Sequence, residues 1–197
     1  MIGDLAKYFF LLVFVLIFHA FITYGSLLTL LARLNPIKFF MKVRSLAVFA
    51  FSTSSSSATM PITLDTVKNK IGVNSSIGSF TVPLGATINM DGTALYVGIV
   101  TVFGAQAFNI DLSLADYLLV AGSTTIVSIG TAAVPGASLF LMAAVMDSIG
   151  MTPEQNAAVV GFILAFDRPL DMLRTVMNLS LIHISEPTRL RRISYAV

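Results

Sequence analysis

The chain has 197 residues, of which 56% are hydrophobic and only 11% are charged. Soluble domains carry about 25% charged residues, so this composition excludes an ordinary soluble protein and indicates an integral membrane protein. The formal net charge of +2 is too small to indicate nucleic-acid binding, and two histidines far apart in sequence do not indicate a zinc site.

The first predicted element is a membrane-spanning helix over residues 5–34. Residues 8–32 are almost uninterrupted apolar sequence, followed by Arg33 and Pro36. About 20 such residues suffice to cross the hydrocarbon core of a bilayer. His19 lies inside this span. We interpret it as a hydrogen-bonded packing residue that faces other helices, with a proton relay as the alternative.

Residues 37–70 predict a re-entrant hairpin. Two apolar stretches, each too short to cross the bilayer, lie on either side of a serine-rich polar tip at residues 52–61. Both ends of such a hairpin lie on the same side of the membrane. A serine-rich linker is the alternative, but apolar half-helices on both sides are not typical of a linker.

Residues 76–105 predict a second span, which is interrupted by a polar cluster. The cluster consists of Asn89, Met90, Asp91, Gly92 and Thr93. A carboxylate at membrane depth is costly and indicates a binding site. Gly92 and its polar neighbours predict that the helix unwinds here, which is tolerated only where the backbone lines an enclosed or water-filled site.

A second hairpin is predicted over residues 112–149, with a tip at residues 128–138 where glycine and proline favour a non-helical turn. A last span is predicted over residues 153–178, because Thr152 provides an N-cap and Pro153 suits the first helical position. Broken elements at corresponding positions of two halves are typical of secondary transporters with a binding site near the membrane midplane.

The distribution of basic residues predicts the orientation of the two hairpins. Those around the first hairpin are Arg33, Lys38, Lys42, Arg44, Lys68 and Lys70. The loops around the second hairpin contain acidic residues and neither lysine nor arginine. Because cytoplasmic loops are enriched in lysine and arginine, we expect the first hairpin to open from the cytoplasm and the second from outside. Opposed hairpins of this kind suit alternating access.

The last predicted span carries a stripe of polar side chains on one helical face. The stripe consists of Asp167, Asp171, Arg174, Thr175 and Asn178. Their spacing of i, i+4, i+7, i+8 and i+11 places them on one face of a helix. A structural ion pair between Asp171 and Arg174 is one interpretation. We favour a binding site for a zwitterion, in which Asp171 binds the ammonium group and Arg174 binds a carboxylate group. Asn178 is then available for a second carboxylate.

The surroundings of Asp91 predict a site for a hard cation. Asn89, Thr87 and unwound backbone carbonyls offer oxygen ligands without histidine or cysteine. Sodium suits this set better than calcium because the site contains so few carboxylates. From the sequence alone, Met90 is interpreted as a packing residue.

Four motifs in this order give the chain a close resemblance to the dicarboxylate/amino acid:cation symporter family, of the glutamate–aspartate transporter type. They are SSSSATMP at residues 54–61, PLGAT and NMDGT at 83–87 and 89–93, GTAAVPG at 130–136, and the stripe on the last span. The resemblance covers about residues 3–178. It implies an all-α integral membrane fold, in which residues 1–178 form part of a transport domain with two opposed re-entrant hairpins, an unwound transmembrane helix and a polar last helix.

The resemblance also implies sodium-coupled symport of an acidic amino acid or dicarboxylate by alternating access, and no enzymatic activity. Substrate would be held by Ser54, Ser56, Thr93, Ala133, Val134, Ser138, Asp171, Arg174, Thr175 and Asn178. In the family the aspartate takes the amino group, the arginine the side-chain carboxylate and the asparagine the α-carboxylate. Many members carry a second arginine where this chain has Ser54 or Met172, so selectivity for neutral amino acids is an alternative.

Three sodium sites are implied by the same resemblance, with no organic cofactor. One would use Gly85, Asn89 and Asn178; a second Thr87, Met90, Ser128, Ile129 and Thr131; and a third Asn89 and Asp91. The family functions as a homotrimer in the cell membrane, in contact with lipid and not with nucleic acid. An intramembrane hydrolase built on Ser55 or Ser56 is a different hypothesis, but the sequence places neither His19 nor His183 near them as a base.

The chain departs from the family at both ends. Members carry several further spans before this region, so we expect a truncated copy, and a non-functional fragment is an alternative. After Asn178 the family continues with a Gly-Asp sequence whose carboxylate completes a sodium site, whereas Ile182 stands near that position here. Residues 179–197 resemble a translated sequencing adapter, which predicts a non-native tail; a natural basic tail is the alternative.

Overall fold

A computed structural model describes residues 2–31 and 33–182 as an assembly of helices, with no strand in those ranges. This confirms the all-α prediction. Two helical stretches of these residues, Gly3–Leu30 and Ser75–Ala107, are long and apolar enough to cross a membrane. Most of the predicted non-native tail, including His183, lies outside the described residues.

The chain begins with one long helix that contains a π-helical segment. Helix α1 (Ile2–Phe18) continues into the π segment (His19–Tyr24) and then into α2 (Gly25–Leu30). Tyr8, Leu12 and Leu16 recur every four residues and are buried against the other helices. The opposite face carries exposed apolar side chains, as expected of a surface that faces lipid: Phe10, Phe14, Phe18 and Phe21.

Helices α3 (Pro36–Thr53) and α4 (Ser56–Asp65) are joined by a two-residue tip. Ser54 ends α3 in the left-handed conformation, at φ 50°, and Ser55 then caps α4 by accepting a hydrogen bond from the backbone N–H of Ala58. The chain therefore reverses direction within the serine-rich sequence. A second π segment (Thr66–Ile71) follows α4.

The polar cluster interrupts the helix between α5 (Ser75–Ile88) and α6 (Asp91–Ala107), so that only Asn89 and Met90 are non-helical. The predicted unwinding is present at Asn89 and Met90, whereas Gly92 itself lies in the first turn of α6. A Cβ atom at Gly92 would lie 2.9 Å from Asn178 Oδ1 and 3.0 Å from Met177 Cβ. A glycine is therefore required at position 92 for α6 to approach the helix that contains Met177 and Asn178.

Helices α7 (Leu114–Gly130) and α8 (Ala137–Ser148) are joined by a longer non-helical tip that ends at Gly136, with φ +72°. The long helix α9 (Pro153–Ile182) lies at the centre of the assembly and contacts α1, the first π segment, α3, α4, α5, α6 and α8. The two tips meet near α9, because the Ala133 carbonyl accepts hydrogen bonds from Ser55 Oγ at 2.9 Å and from the Ser57 N–H at 3.2 Å.

Candidate functional site

The polar stripe of α9 forms a buried ion-pair cluster around Arg174. Its Nη2 atom donates to Asp171 Oδ1 at 2.9 Å and to Asp167 Oδ1 at 3.1 Å, so the predicted pair between Asp171 and Arg174 is present. Its Nη1 atom donates to Ser138 Oγ at 2.8 Å. The Arg174 side chain is only 2% exposed. One guanidinium is therefore shared between two carboxylates that lie a helical turn apart.

Tyr96 of α6 completes this cluster from the facing helix. Its ring centroid lies 3.6 Å from Arg174 Cζ, which is a close cation–π contact, and its hydroxyl donates to Asp167 Oδ1 at 2.7 Å. Tyr96 was not among the residues predicted for the site. The available signal was its position one turn after Thr93, on the face of α6 that carries a predicted ligand.

The second tip is fastened to α9 through Asp171. The Gly136 N–H, which immediately precedes α8, donates to Asp171 Oδ2 at 3.1 Å. The amino-terminal end of a helix carries partial positive charge, so this carboxylate lies where that charge stabilises it. Ser138 in the first turn of α8 binds Arg174, and the tip therefore contacts both members of the ion pair.

Asn178 joins α9 to the interrupted helix at the polar cluster. Its side-chain Nδ2 donates to Thr93 Oγ1 at 3.1 Å and to the Met90 sulfur at 3.2 Å. Its Oδ1 accepts the Gly92 N–H at 2.9 Å. All of these groups are buried. The amide that we predicted to bind substrate and sodium holds the two helices together in this conformation.

A small cavity lies between the two tips and these helices. Its volume is about 20 Å³, which is enough for about one water molecule and far too little for an amino acid. The predicted substrate residues that line it are Ser54, Ser56, Thr93, Ala133, Val134, Ser138, Asp171, Thr175 and Asn178. Arg174 does not line it, because its guanidinium is bound to Asp167, Asp171 and Ser138.

The residues predicted for the sodium sites are less closely grouped. Met90, Thr131 and Asn178 line the same cavity. Gly85 accepts the Asn89 N–H at 2.9 Å through its carbonyl. Three other predicted ligands do not line this cavity: Ser128 is buried and donates to Thr125 O, Thr87 is exposed and donates to Leu84 O, and Ile129 is exposed.

Asp91 is bound by two residues of the first π segment. His19 Nε2 lies 2.6 Å from Asp91 Oδ2, and the Tyr24 hydroxyl donates to the same oxygen. The other oxygen, Oδ1, is buried and has no hydrogen-bond partner among the described residues. His19 is thus hydrogen-bonded to another helix, as its favoured interpretation requires. Neither contact has a local sequence signal, because the partners are 67 and 72 residues apart.

Most of this chain is similar in sequence to known membrane transporters. The model of the sodium:dicarboxylate symporter family matches residues 1–183. A Caenorhabditis elegans protein named as a sodium-dependent excitatory amino acid transporter is 41% identical over 83% of the chain and 32% of its own length. Excitatory amino acid transporter 1 of rat is 39% identical over 89% of the chain and 32% of its own length. Excitatory amino acid transporter 3 of rabbit is 39% identical over 81% of the chain and 30% of its own length. The chain spans about a third of the length of these relatives.

Proposed function

The chain belongs to the sodium:dicarboxylate symporter family, and from this we propose that its protein is a sodium-coupled symporter of an acidic amino acid or dicarboxylate. The chain is a multi-pass protein of the cell membrane. Its relatives are transporters and not enzymes, so the hydrolase hypothesis at Ser55 or Ser56 is rejected.

The buried cluster of Asp171, Arg174 and Asp167 is the observation that carries the substrate assignment. Asp171 lines the cavity, and its Oδ2 atom accepts a hydrogen bond from the Gly136 N–H, its one hydrogen-bond partner within residues 2–31 and 33–182. A substrate ammonium that replaces this N–H gains a charged partner and releases the second tip from α9. A substrate carboxylate then takes the place of Ser138 on Arg174, where the planar guanidinium can bind it with two hydrogen bonds.

The formal charges of the site give a physical reason for sodium coupling. Asp167, Asp171 and Asp91 contribute three negative charges, and Arg174 contributes one positive charge. An acidic amino acid adds one further net negative charge. Excess charge of one sign at membrane depth is strongly unfavourable because the surroundings screen it poorly. Bound cations therefore make substrate binding possible, which couples the two binding events.

The residues around the polar cluster fit a sodium ion. Asp91 Oδ1 is a buried carboxylate oxygen without a partner among the described residues, and Asn89 beside it adds oxygen ligands of the kind that hard cations prefer. We propose Asn89 and Asp91 for one ion. Gly85 and Asn178 with Asn89 would hold a second, and Thr87, Met90, Ser128, Ile129 and Thr131 a third. When bound, the ions neutralise the carboxylates.

The same proposal extends to the architecture. Residues 37–70 and 112–149 act as opposed re-entrant hairpins, and residues 1–178 act as part of a transport domain that moves within a homotrimer. The hydrogen bonds from Ser55 and Ser57 to Ala133 support this proposal, because they bring the two tips together over α9. Breaking these contacts and the bond between Gly136 and Asp171 would open the site on the side of the second tip.

Calorimetric titration of the purified chain in sodium chloride tests the substrate class. We expect binding of L-aspartate or succinate and none of L-alanine. Asp171→Asn should abolish binding of the amino acid, because the ammonium loses its charged partner. Asp111→Asn removes an exposed carboxylate in the loop before α7 and should leave binding unchanged. Unaltered aspartate binding by Asp171→Asn, or equally tight binding of alanine, contradicts the proposal.

A further inference from the structure

Two donors of the first π segment bind the same oxygen of Asp91. His19 Nε2 and the Tyr24 hydroxyl both bind Oδ2, and Tyr24 also lies 3.3 Å from the Met177 carbonyl. Tyr24 is 1% exposed. Oδ1 is buried without a partner among the described residues. The two oxygens of one carboxylate are therefore in different surroundings.

The π segment explains how both donors reach the same atom. His19 and Tyr24 are five residues apart, and five residues of a regular α-helix separate side chains by roughly 140° around the axis. In a π-helix the hydrogen bonds run from i to i+5, which brings such residues to one face. The two rings accordingly lie 4.8 Å apart. Single π turns within α-helices occur frequently at functional sites.

We propose that His19 and Tyr24 are positioning residues for the sodium site that contains Asp91. They fix the carboxylate by Oδ2, direct Oδ1 to the ion, and stabilise the negative charge at membrane depth when no ion is bound. Carboxylates that bind metals are commonly held by such outer hydrogen bonds, and loss of one typically lowers metal affinity about 10- to 100-fold. This inference rests on the proposed function, since it requires that Asp91 binds sodium.

A purely structural tie between the first helix and α6 is the competing explanation. Loss of a tie lowers stability equally with and without sodium and leaves sodium affinity unchanged. Loss of a positioning residue raises the dissociation constant for sodium. The two explanations therefore separate when affinity and stability are measured on the same variants.

The experiment is a sodium titration of the purified chain at constant ionic strength, with choline as the replacing cation and ²³Na NMR as the readout. Tyr24→Phe keeps the ring and removes the hydroxyl, His19→Ala removes the donor, and His19→Gln restores an N–H donor. We expect Tyr24→Phe and His19→Ala to raise the dissociation constant of the sodium ion bound at Asp91 about 10- to 100-fold. His19→Gln should recover most of that loss. Melting temperatures in choline establish that each variant is folded, and Tyr24→Phe decides the result if His19→Ala does not fold.

Two controls separate the inference from the proposed function. Tyr8→Phe removes another buried tyrosine hydroxyl, roughly 24 Å away along the same helix, and should titrate like the wild type. Asp91→Asn should abolish the binding of one sodium ion. If Asp91→Asn no longer binds that ion while Tyr24→Phe and His19→Ala bind sodium normally, the positioning role is wrong and the sodium site stands. If Asp91→Asn titrates like the wild type, the proposed sodium site itself is overturned.

Discussion

Replacing Gly92 by alanine should separate α6 from α9 at the centre of the candidate site. The added Cβ would lie 2.9 Å from Asn178 Oδ1, 3.0 Å from Met177 Cβ and 3.2 Å from the backbone oxygen of Arg174. Because one of these neighbours is helix backbone, the strain cannot be relieved by rotating side chains alone. Overpacking of this kind costs about 1–3 kcal/mol.

Two smaller effects of this substitution nearly cancel. The hydrogen bond from the Gly92 N–H to Asn178 Oδ1 would be lengthened or lost, at a cost of about 1 kcal/mol. Alanine has the higher helix propensity by about 1 kcal/mol. The net loss of unfolding free energy is therefore about 1–3 kcal/mol, which corresponds to a melting temperature roughly 2–12 °C lower.

Gly98→Ala is the matched control on the same helix. Its added Cβ would lie 3.7 Å from Thr124 Cγ2, which is ordinary van der Waals contact, so the gain in helix propensity should dominate. Melting of both variants in the same detergent measures the difference, and calorimetry reports whether aspartate binding weakens for Gly92→Ala. If Gly92→Ala melts at or above the temperature of Gly98→Ala, the close-approach explanation of Gly92 is refuted.

Two further substitutions test the contacts around Arg174 and between the tips. Tyr96→Phe keeps the ring over the guanidinium but removes the hydroxyl that binds Asp167. It should lower the unfolding free energy by about 1.5–3 kcal/mol in denaturant titrations. An unchanged denaturation midpoint would contradict this prediction. Ser55→Ala removes both a helix cap and the bond to the Ala133 carbonyl, so we expect a loss of about 1–2 kcal/mol and faster hydrogen exchange at the Ser57 amide. Ser57→Ala, which changes an exposed side chain and keeps the backbone contact, should match the wild type; equal effects of the two serine variants would argue against the tip contact.

Local patterns in the sequence predicted the helices and the α9 stripe. The stripe follows from periodicity within one element, so Asp171 and Arg174 could be assigned to one face before any tertiary contact was known. Gly92 shows the limit of such reasoning. A glycine in a polar membrane cluster suits either an unwound helix or a close helix contact, and only the position of Asn178 on another helix distinguishes the two.

The contacts that the sequence did not reveal connect distant parts of the chain. Tyr96 and Asp167 are 71 residues apart, and His19 and Asp91 are 72 apart. No propensity or spacing rule relates such pairs. The π segment that brings His19 and Tyr24 to the same carboxylate also has no local signature in this almost uninterrupted apolar sequence.

The sodium dependence of aspartate affinity is the most direct test of the proposed symport. Calorimetric titrations of the chain with L-aspartate, at several sodium concentrations and with choline holding the ionic strength constant, give this dependence. Because binding of ion and substrate is coupled reciprocally, the dissociation constant for aspartate should fall steeply as sodium rises, and no binding should be measurable in choline alone. A dissociation constant that is independent of sodium would contradict the account.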